Sequence, residues 1–237
     1  MKQDGGGEIM SNWYSHYDDI DGLRGAVAEG RHRDIIGGLL EALGTLQLDF
    51  LKQQGLQPGH TLIDIGCGSL RAGVPLTRYL DAGNYYGIDL RPELLEAGYD
   101  REIAAEGLAE KLPRDNLHAT AEFDLSVFGI KFDYAIAQSV FTHMPISRLT
   151  DCLLAIRPNI KAGAPVYITF FERPEDADPS APLPHEPGGI VTHPGEDPYD
   201  VKPSALRAAC PPGWSLEIIG EWNHPRDQRM ACFRHEG

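Results

Sequence analysis

No stretch of this chain restricts its fold more than Thr61-Leu62-Ile63-Asp64-Ile65-Gly66-Cys67-Gly68-Ser69-Leu70-Arg71-Ala72-Gly73. It starts as a short apolar, β-branched run after Pro58-Gly59, which reads as a buried strand. Two glycines one residue apart close the strand, and a helical pattern follows from Leu70 to Leu80. Strand, glycine turn and helix N-terminus together form a cradle for a nucleotide-like ligand. Gly66 and Gly68 lack a Cβ, so the backbone can turn sharply and a ligand can come close. The plainer alternative is an ordinary strand-to-helix turn. Two residues narrow the ligand. A dinucleotide fingerprint needs glycine at position 71, where this chain has Arg71. Asp64 sits at the strand's end, where a carboxylate repels a pyrophosphate and suits an ammonium group.

A second acid falls at a matching place. Tyr85-Tyr86-Gly87-Ile88-Asp89-Leu90 reads as the next strand, and Asp89 lies roughly 20 residues past the glycine turn, the spacing of ribose-binding acids. A carboxylate there accepts hydrogen bonds from both ribose hydroxyls. Asp89 before Arg91-Pro92 also fits a helix N-cap. Further on, Pro92 to Glu106 reads as a helix and Asn116 to Thr120 as a weak third strand. Phe132 to Pro145 holds a fourth strand, with Gln138 and Ser139 at its carboxyl end, where open parallel sheets bind ligands. Ile146 to Ile160 is a helix and Ala164 to Phe171 a fifth strand. Trp214–Trp222 and Arg229–Arg234 are joined by so few residues that they must form an antiparallel hairpin.

Upstream, Asp34 to Gln53 has apolar residues at helical spacing, with breaks or tight packing expected at Gly37-Gly38 and Gly44. Residues 1–10 read as a disordered tail, and Trp13-Tyr14-Ser15-His16-Tyr17 as an anchor or a lid whose Tyr14 or Tyr17 hydroxyl reaches the ligand. Residues 172–202 are proline-rich with no apolar periodicity, which points to a lid or an insertion. Glu172, His185 and His193 are its candidate contacts to an acceptor. The histidines lack the spacing of a metal site.

Net charge and cysteines exclude whole classes. A net charge of −14 without a dense Lys/Arg cluster argues against nucleic acid. No apolar run approaches the ~20 residues of a membrane span. The glycine-rich first ten residues do not form a signal peptide. Cys67, Cys152, Cys210 and Cys232 are widely spaced, as in a reducing cytoplasm.

Asp64-Ile65-Gly66-Cys67-Gly68 resembles motif I of the class I S-adenosylmethionine (SAM) dependent methyltransferases. Asp89, Phe132 to Pro145 and the terminal hairpin follow in that family's order. The family often has a further glycine where this chain has Leu70, and Gly73 is placed to serve the same close packing. The resemblance implies an α/β, Rossmann-like sheet of seven mostly parallel strands with an antiparallel C-terminal hairpin. Residues 1–57 would be tail and helical cap, and 58–237 the core with a lid insertion at about 172–202, all one structural unit. It further implies that Asp64, Gly66, Cys67 and Gly68 hold the methionine end of SAM. Asp89 beside Leu90 would take the ribose, Glu122 the adenine amino group and Phe123 the ring face. Gln138 and Ser139 would complete the cofactor site. His143 falls near the methyl-transfer region, as a general base or as a histidine that fixes its loop. The implied activity is transfer of the SAM methyl group to a small molecule by in-line displacement, with no metal. The alternatives are an NAD(P)-dependent oxidoreductase and a non-catalytic SAM-binding protein.

Overall fold

A computed structural model describes residues 19–237. The expected residues Tyr14 and Tyr17 lie outside them. The chain opens with helices α1 (Ile20–Ala28), α2 (His32–Ile35) and α3 (Leu40–Gln53). It then alternates β1 (Leu62–Ile65), α4 (Gly73–Tyr79), β2 (Tyr85–Asp89), α5 (Pro92–Gly98), β3 (Leu117–Ala119), β4 (Tyr134–Ala137), α6 (Ser147–Ile156) and β5 (Val166–Glu172). The C-terminal part holds β6 (Leu183–His185), β7 (Ile190–Thr192), β8 (Asp200–Val201), α7 (Pro203–Ala208), β9 (Trp214–Gly220) and β10 (Gln228–His235).

The main sheet runs β3-β2-β1-β4-β5-β10-β9. The first five strands are parallel, and β10 enters antiparallel between β5 and β9. That is the Rossmann-like sheet with a C-terminal antiparallel hairpin expected from the sequence. It has one strand more: β8 pairs with Phe171 and Glu172 of β5, beyond the residues that β4 reaches. Side chains alternate across the sheet. Ile63, Ile65, Ala135, Ala137, Val166 and Ile168 pack on one face with Leu149, Leu153 and Ile156 of α6. Leu62, Ile136 and Tyr167 pack on the other face with Phe50 and Leu51 of α3 and Leu76 of α4. All four residues of β1 are buried, as are all four of β4, because helices cover both faces of the sheet. Among the described residues, no helix is long and apolar enough to cross a membrane.

Two expected elements differ in detail. The helix from Pro92 ends at Gly98 and continues as a π turn, Tyr99–Ile103. This turn carries Glu102, which accepts from Arg33 Nη2 at 2.7 Å and pairs with His32 Nε2 at 2.7 Å, binding the N-terminal cap to the core. Burial pushes the Glu102 carboxyl up, but the bonds from Arg33 and His32 outweigh it and hold it low. Residues 172–202 are also more ordered than their composition suggests, since β6 and β7 form a hairpin. The guanidinium of Arg173 and the carboxylate of Asp200, both buried, join at 2.7 Å and fasten this insertion to the end of β5.

Gly37 and Gly38 take left-handed conformations and separate α2 from α3, where a break was expected. Gly44 does not interrupt α3. A Cβ there would lie 2.5 Å from the Arg71 carbonyl oxygen, so the glycine serves close packing. Gly98 does the same for α5, since a Cβ would meet the Ser69 carbonyl carbon at 2.6 Å. Gly98→Ala is therefore expected to destabilise the protein by about 1–3 kcal/mol, although alanine favours the helix itself by about 1 kcal/mol. A thermal melt reads this as a lowered midpoint. An unchanged or raised midpoint would mean that α5 and the glycine loop are not in register.

Candidate functional site

The parallel pairing of β1 with β2 sets Asp64 opposite Gly87 and Ile65 opposite Ile88, so Asp64 and Asp89 lie at neighbouring strand tips. The glycine turn bends over them. Gly66 and Gly68 have φ of +71° and +55°, which L side chains rarely adopt. A Cβ on Gly66 would stand 2.5 Å from Val140 Cγ2, and one on Gly68 2.7 Å from Ile36 Cγ2. Gly73 packs as expected, its would-be Cβ 2.8 Å from Leu70 Cβ and 3.0 Å from the Tyr85 hydroxyl.

Above the turn is a cavity of about 460 Å³. Ile36 and Gly37 of the cap, Ile190 and Pro198 of the insertion, and the tips of β1, β2 and β4 wall it in. Ten residues expected to hold the cofactor line it: Asp64, Gly66, Cys67, Gly68, Asp89, Leu90, Glu122, Phe123, Gln138 and Ser139. His143 lines it too. Ser139 and Phe123 are non-glycine residues at φ of +59° and +56°, a conformation that costs about 1–3 kcal/mol and persists where the surroundings impose it.

The two acids differ in environment. Asp64 is 3% exposed, and the Tyr85 hydroxyl donates to its Oδ2 at 2.9 Å. Burial raises its pKa from 3.8 to about 7, against the Tyr85 bond and the charge of Arg71. Asp89 accepts from the Gly68 amide at Oδ2 and from the Arg91 amide at Oδ1, both at 2.8 Å. It braces the glycine turn as well as facing the cavity. Burial raises its pKa also, opposed by these amides.

At the other side a buried polar network underlies the β4 tip. The Thr169 hydroxyl donates to Gln228 Oε1 at 2.7 Å and accepts from the Ser139 amide at 2.7 Å. Arg71 donates to Gln138 Oε1 and, at 2.8 Å, to the Ile36 carbonyl. Arg226 donates to the Gly37 carbonyl at 2.5 Å, so two arginines hold the cap loop over the cavity. Burial, followed by the charges of Arg71 and Arg226, lowers the pKa of His224 to about 3 and keeps it neutral. Near the insertion, His143 Nδ1 lies 2.6 Å from Asp197 Oδ1.

Three expected acceptor contacts lie elsewhere. Glu172, His185 and His193 are not part of the cavity wall. Glu172 pairs with Val201 of β8. His185 is buried against the Phe171 ring, 4.6 Å between centroids, with its Nε2 3.0 Å from the Thr192 hydroxyl. It serves the insertion's own packing. His193 is exposed. Arg226, in the turn before β10, and Gln228, the first residue of β10, by contrast line the cavity only because the tertiary fold brings the C-terminal hairpin to it. Among the described residues, no group of three or more His, Cys, Asp or Glu could hold a metal ion.

The residues present fit an adenosyl amino acid. The glycine turn is open where a Cβ would close it, Asp64 and Asp89 offer acceptors at its two sides, and Phe123 and Leu90 supply apolar surface.

Residues 63–166 match the family described as "Methyltransferase domain". An 18S rRNA (guanine(1575)-N(7))-methyltransferase of Saccharomyces cerevisiae is 24% identical over 131 residues, 55% of this chain and 47% of that protein. A ribosomal protein L11 methyltransferase of Cupriavidus necator is 28% identical over 137 residues, 57% of this chain and 40% of its own length. The chain thus spans less than half of each of these curated relatives. Among solved structures, magnesium protoporphyrin IX methyltransferase from Synechocystis PCC 6803 with bound SAM superposes with a TM-score of 0.56 at 17% identity, covering 81% of this chain and 80% of that one.

Proposed function

The chain carries a class I SAM-dependent methyltransferase domain, and from that premise we propose that it binds SAM and methylates a small molecule. The observation that carries this reading is the pair Asp64 and Asp89 at adjacent strand tips, with the glycine turn and cavity between them. When bound, SAM supplies a methyl group made electrophilic by its sulfonium. The chain's own part is to bind, orient and exclude water. Asp64 accepts from the ammonium end, aided by the bare backbone at Gly66, Cys67 and Gly68. Asp89 accepts from the ribose hydroxyls through the lone pairs that the Gly68 and Arg91 amides leave open. Glu122 takes the adenine amino group, Phe123 and Leu90 flank the ring, and Gln138 and Ser139 line the side toward the acceptor. The cap loop, held by Arg71 and Arg226, keeps bulk water from the site. Positioning and desolvation of this kind lower the barrier without any metal.

Two features favour a small acceptor over the ribosomal substrates named for the two curated relatives. The cavity is covered from both sides, by the cap and by the insertion. The chain has a net charge of −14, which opposes an RNA backbone. Screening for S-adenosylhomocysteine release over a metabolite panel, with ribosomes and ribosomal protein L11 as further arms, is expected to give turnover on a metabolite alone. Turnover confined to ribosomes or L11 would overturn the small-molecule reading.

The oxidoreductase alternative is weakened by Arg71 in place of the third glycine and by β10, antiparallel between β5 and β9. Calorimetric titration is expected to show binding of SAM and none of NADH. The opposite result would restore that alternative.

A further inference from the structure

We propose that Arg226 binds an oxyanion, a carboxylate or a phosphate, carried by the acceptor, so that the site takes an anionic small molecule. This rests on the methyl-transfer reading above and names its substrate class. Arg226 belongs to the turn between β9 and β10 and lines the cavity. In the sheet, β4 and β5 separate β10 from β1. The turn therefore leaves the sheet three strand spacings, about 14 Å, from the strand that carries Asp64. Asp89, on β2, is one spacing farther. With the cofactor on those two acids, Arg226 stands on the acceptor's side.

Three segments fix its place. Nη2 donates to the Gly37 carbonyl of the cap at 2.5 Å, and Gly37 leaves room for the guanidinium, since a Cβ there would stand 2.6 Å from Nη1. A Cβ on Gly188 of the insertion would lie 2.5 Å from Arg226 Cα. Within the turn, the Arg226 amide donates to His224 Nδ1 at 3.2 Å, and Asn223 and Asp227 at its ends take φ of +65° and +58°. The guanidinium is thus set where cap, insertion and hairpin meet over the cavity.

What it lacks there is a counter-charge. The chain holds 35 acidic residues against 21 lysines and arginines, and Arg24, Arg33, Arg78, Arg114, Arg173 and Arg229 each meet a carboxylate. Among the described residues no carboxylate lies within ion-pair distance of Arg226, which meets a carbonyl oxygen instead. Asp227 beside it pairs with Arg229 at 3.0 Å, and Asp197 of the insertion meets His143. The wall residues from β5, the insertion and the hairpin are Phe171, Ile190, Pro198, Arg226 and Gln228, none of them acidic. The wall's carboxylates are Asp64, Asp89, Glu122 after β3, and the exposed Asp34 of α2. Burial first, then the charges of Arg71 and Arg226, lower the pKa of His224, so this corner of an acidic protein is electropositive. A guanidinium is a planar fork of five N–H donors that cannot lose its charge, and a carboxylate or phosphate matches it with two parallel bonds.

The test uses the full chain labelled with ¹⁵N, with and without S-adenosylhomocysteine, and two pairs of probes: benzoate with benzamide, and phenyl phosphate with phenol. Calorimetry reads binding, and the Arg226 Nε–H resonance reads contact. At least one acid is expected to bind about tenfold or more tighter than its neutral partner and to shift that resonance. Which acid does so separates carboxylate from phosphate. Arg226→Gln is expected to bring the ratio of acid to neutral affinity to about one, and Arg226→Lys, which keeps the charge, to retain part of it. Neither acid binding better than its neutral partner, a resonance that both acids leave in place, or a ratio unchanged in Arg226→Gln overturns the proposal. Equal weakening of acid and neutral probes assigns Arg226 to the cap loop alone and overturns it too. So does an unchanged ratio with S-adenosylhomocysteine about tenfold weaker, which assigns Arg226 to the cofactor's own carboxylate. Should Arg226→Gln not fold, the wild-type resonance decides. A wild type that binds an acid but not S-adenosylhomocysteine overturns the methyltransferase reading instead.

Discussion

Asp89→Ala is expected to weaken SAM binding by about 10- to 100-fold or more, since each charge-assisted hydrogen bond lost is worth about 1–3 kcal/mol. The loss has two sources. One is the carboxylate that faces the ribose. The other is the brace: without Asp89, the amides of Gly68 and Arg91 lose the acceptor they now meet at 2.8 Å. An unpaired buried amide costs about as much as the bond itself, so the glycine turn loosens as well. Asp89→Asn separates the two. It keeps the size but can accept at one position only, and its effect should fall between wild type and alanine. Calorimetry with SAM decides; unchanged affinity in Asp89→Ala would remove Asp89 from the site.

The second large effect concerns Asp64, whose removal should stabilise the protein while harming its function. Its pKa rises from 3.8 to about 7 because burial disfavours the ionised carboxyl. The folded state therefore holds a proton that the unfolded state releases between these two values. The contribution of Asp64 to stability is most favourable below pH 3.8, is lost as pH rises through the window, and stays lost above about 7. The full difference amounts to about 4 kcal/mol as an upper figure. Asp64→Asn keeps an acceptor for the Tyr85 hydroxyl and carries no charge. It is expected to unfold at higher denaturant than wild type at pH 8 and to show little advantage at pH 4. The same substitution should lower SAM affinity about tenfold, because the ammonium end loses its counter-charge. Binding by the wild type should release a proton near pH 7, detectable as a dependence of the binding enthalpy on the buffer's ionisation enthalpy. Equal stability of the two proteins at pH 8 would show that Asp64 ionises there without penalty.

Local sequence carried the parts of this site that sit on one strand-turn-helix unit. Asp64, Gly66 and Gly68 follow a buried four-residue strand, and the pattern alone locates them. Asp89 is legible for the same reason, at the tip of the next parallel strand. The antiparallel end of the sheet is legible too, because so short a joint before β10 permits only a hairpin, whereas the strand order, with β10 between β5 and β9, is not. What escaped are contacts between distant segments. Arg71 spoke against a dinucleotide site, yet its bonds to Ile36 and Gln138 arise only when cap, turn and β4 meet. Arg226 and Gln228 lie in and after the final turn, whose composition signals a loop and nothing more. The histidines of the insertion misled in the other direction. His185 looked available, but it fills the space against Phe171 and meets Thr192, while His143 is the histidine that the fold brings to the cavity.

The central claim is that the space between the Asp64 and Asp89 strand tips holds an adenosyl amino acid. A crystal structure with S-adenosylhomocysteine tests it most directly. The account expects the ribose hydroxyls on the Asp89 carboxylate, the adenine beside Phe123, the amino group toward Asp64 and the sulfur facing the Gln138 and His143 side of the cavity. Density for the ligand elsewhere, or a ribose without contact to Asp89, would contradict it.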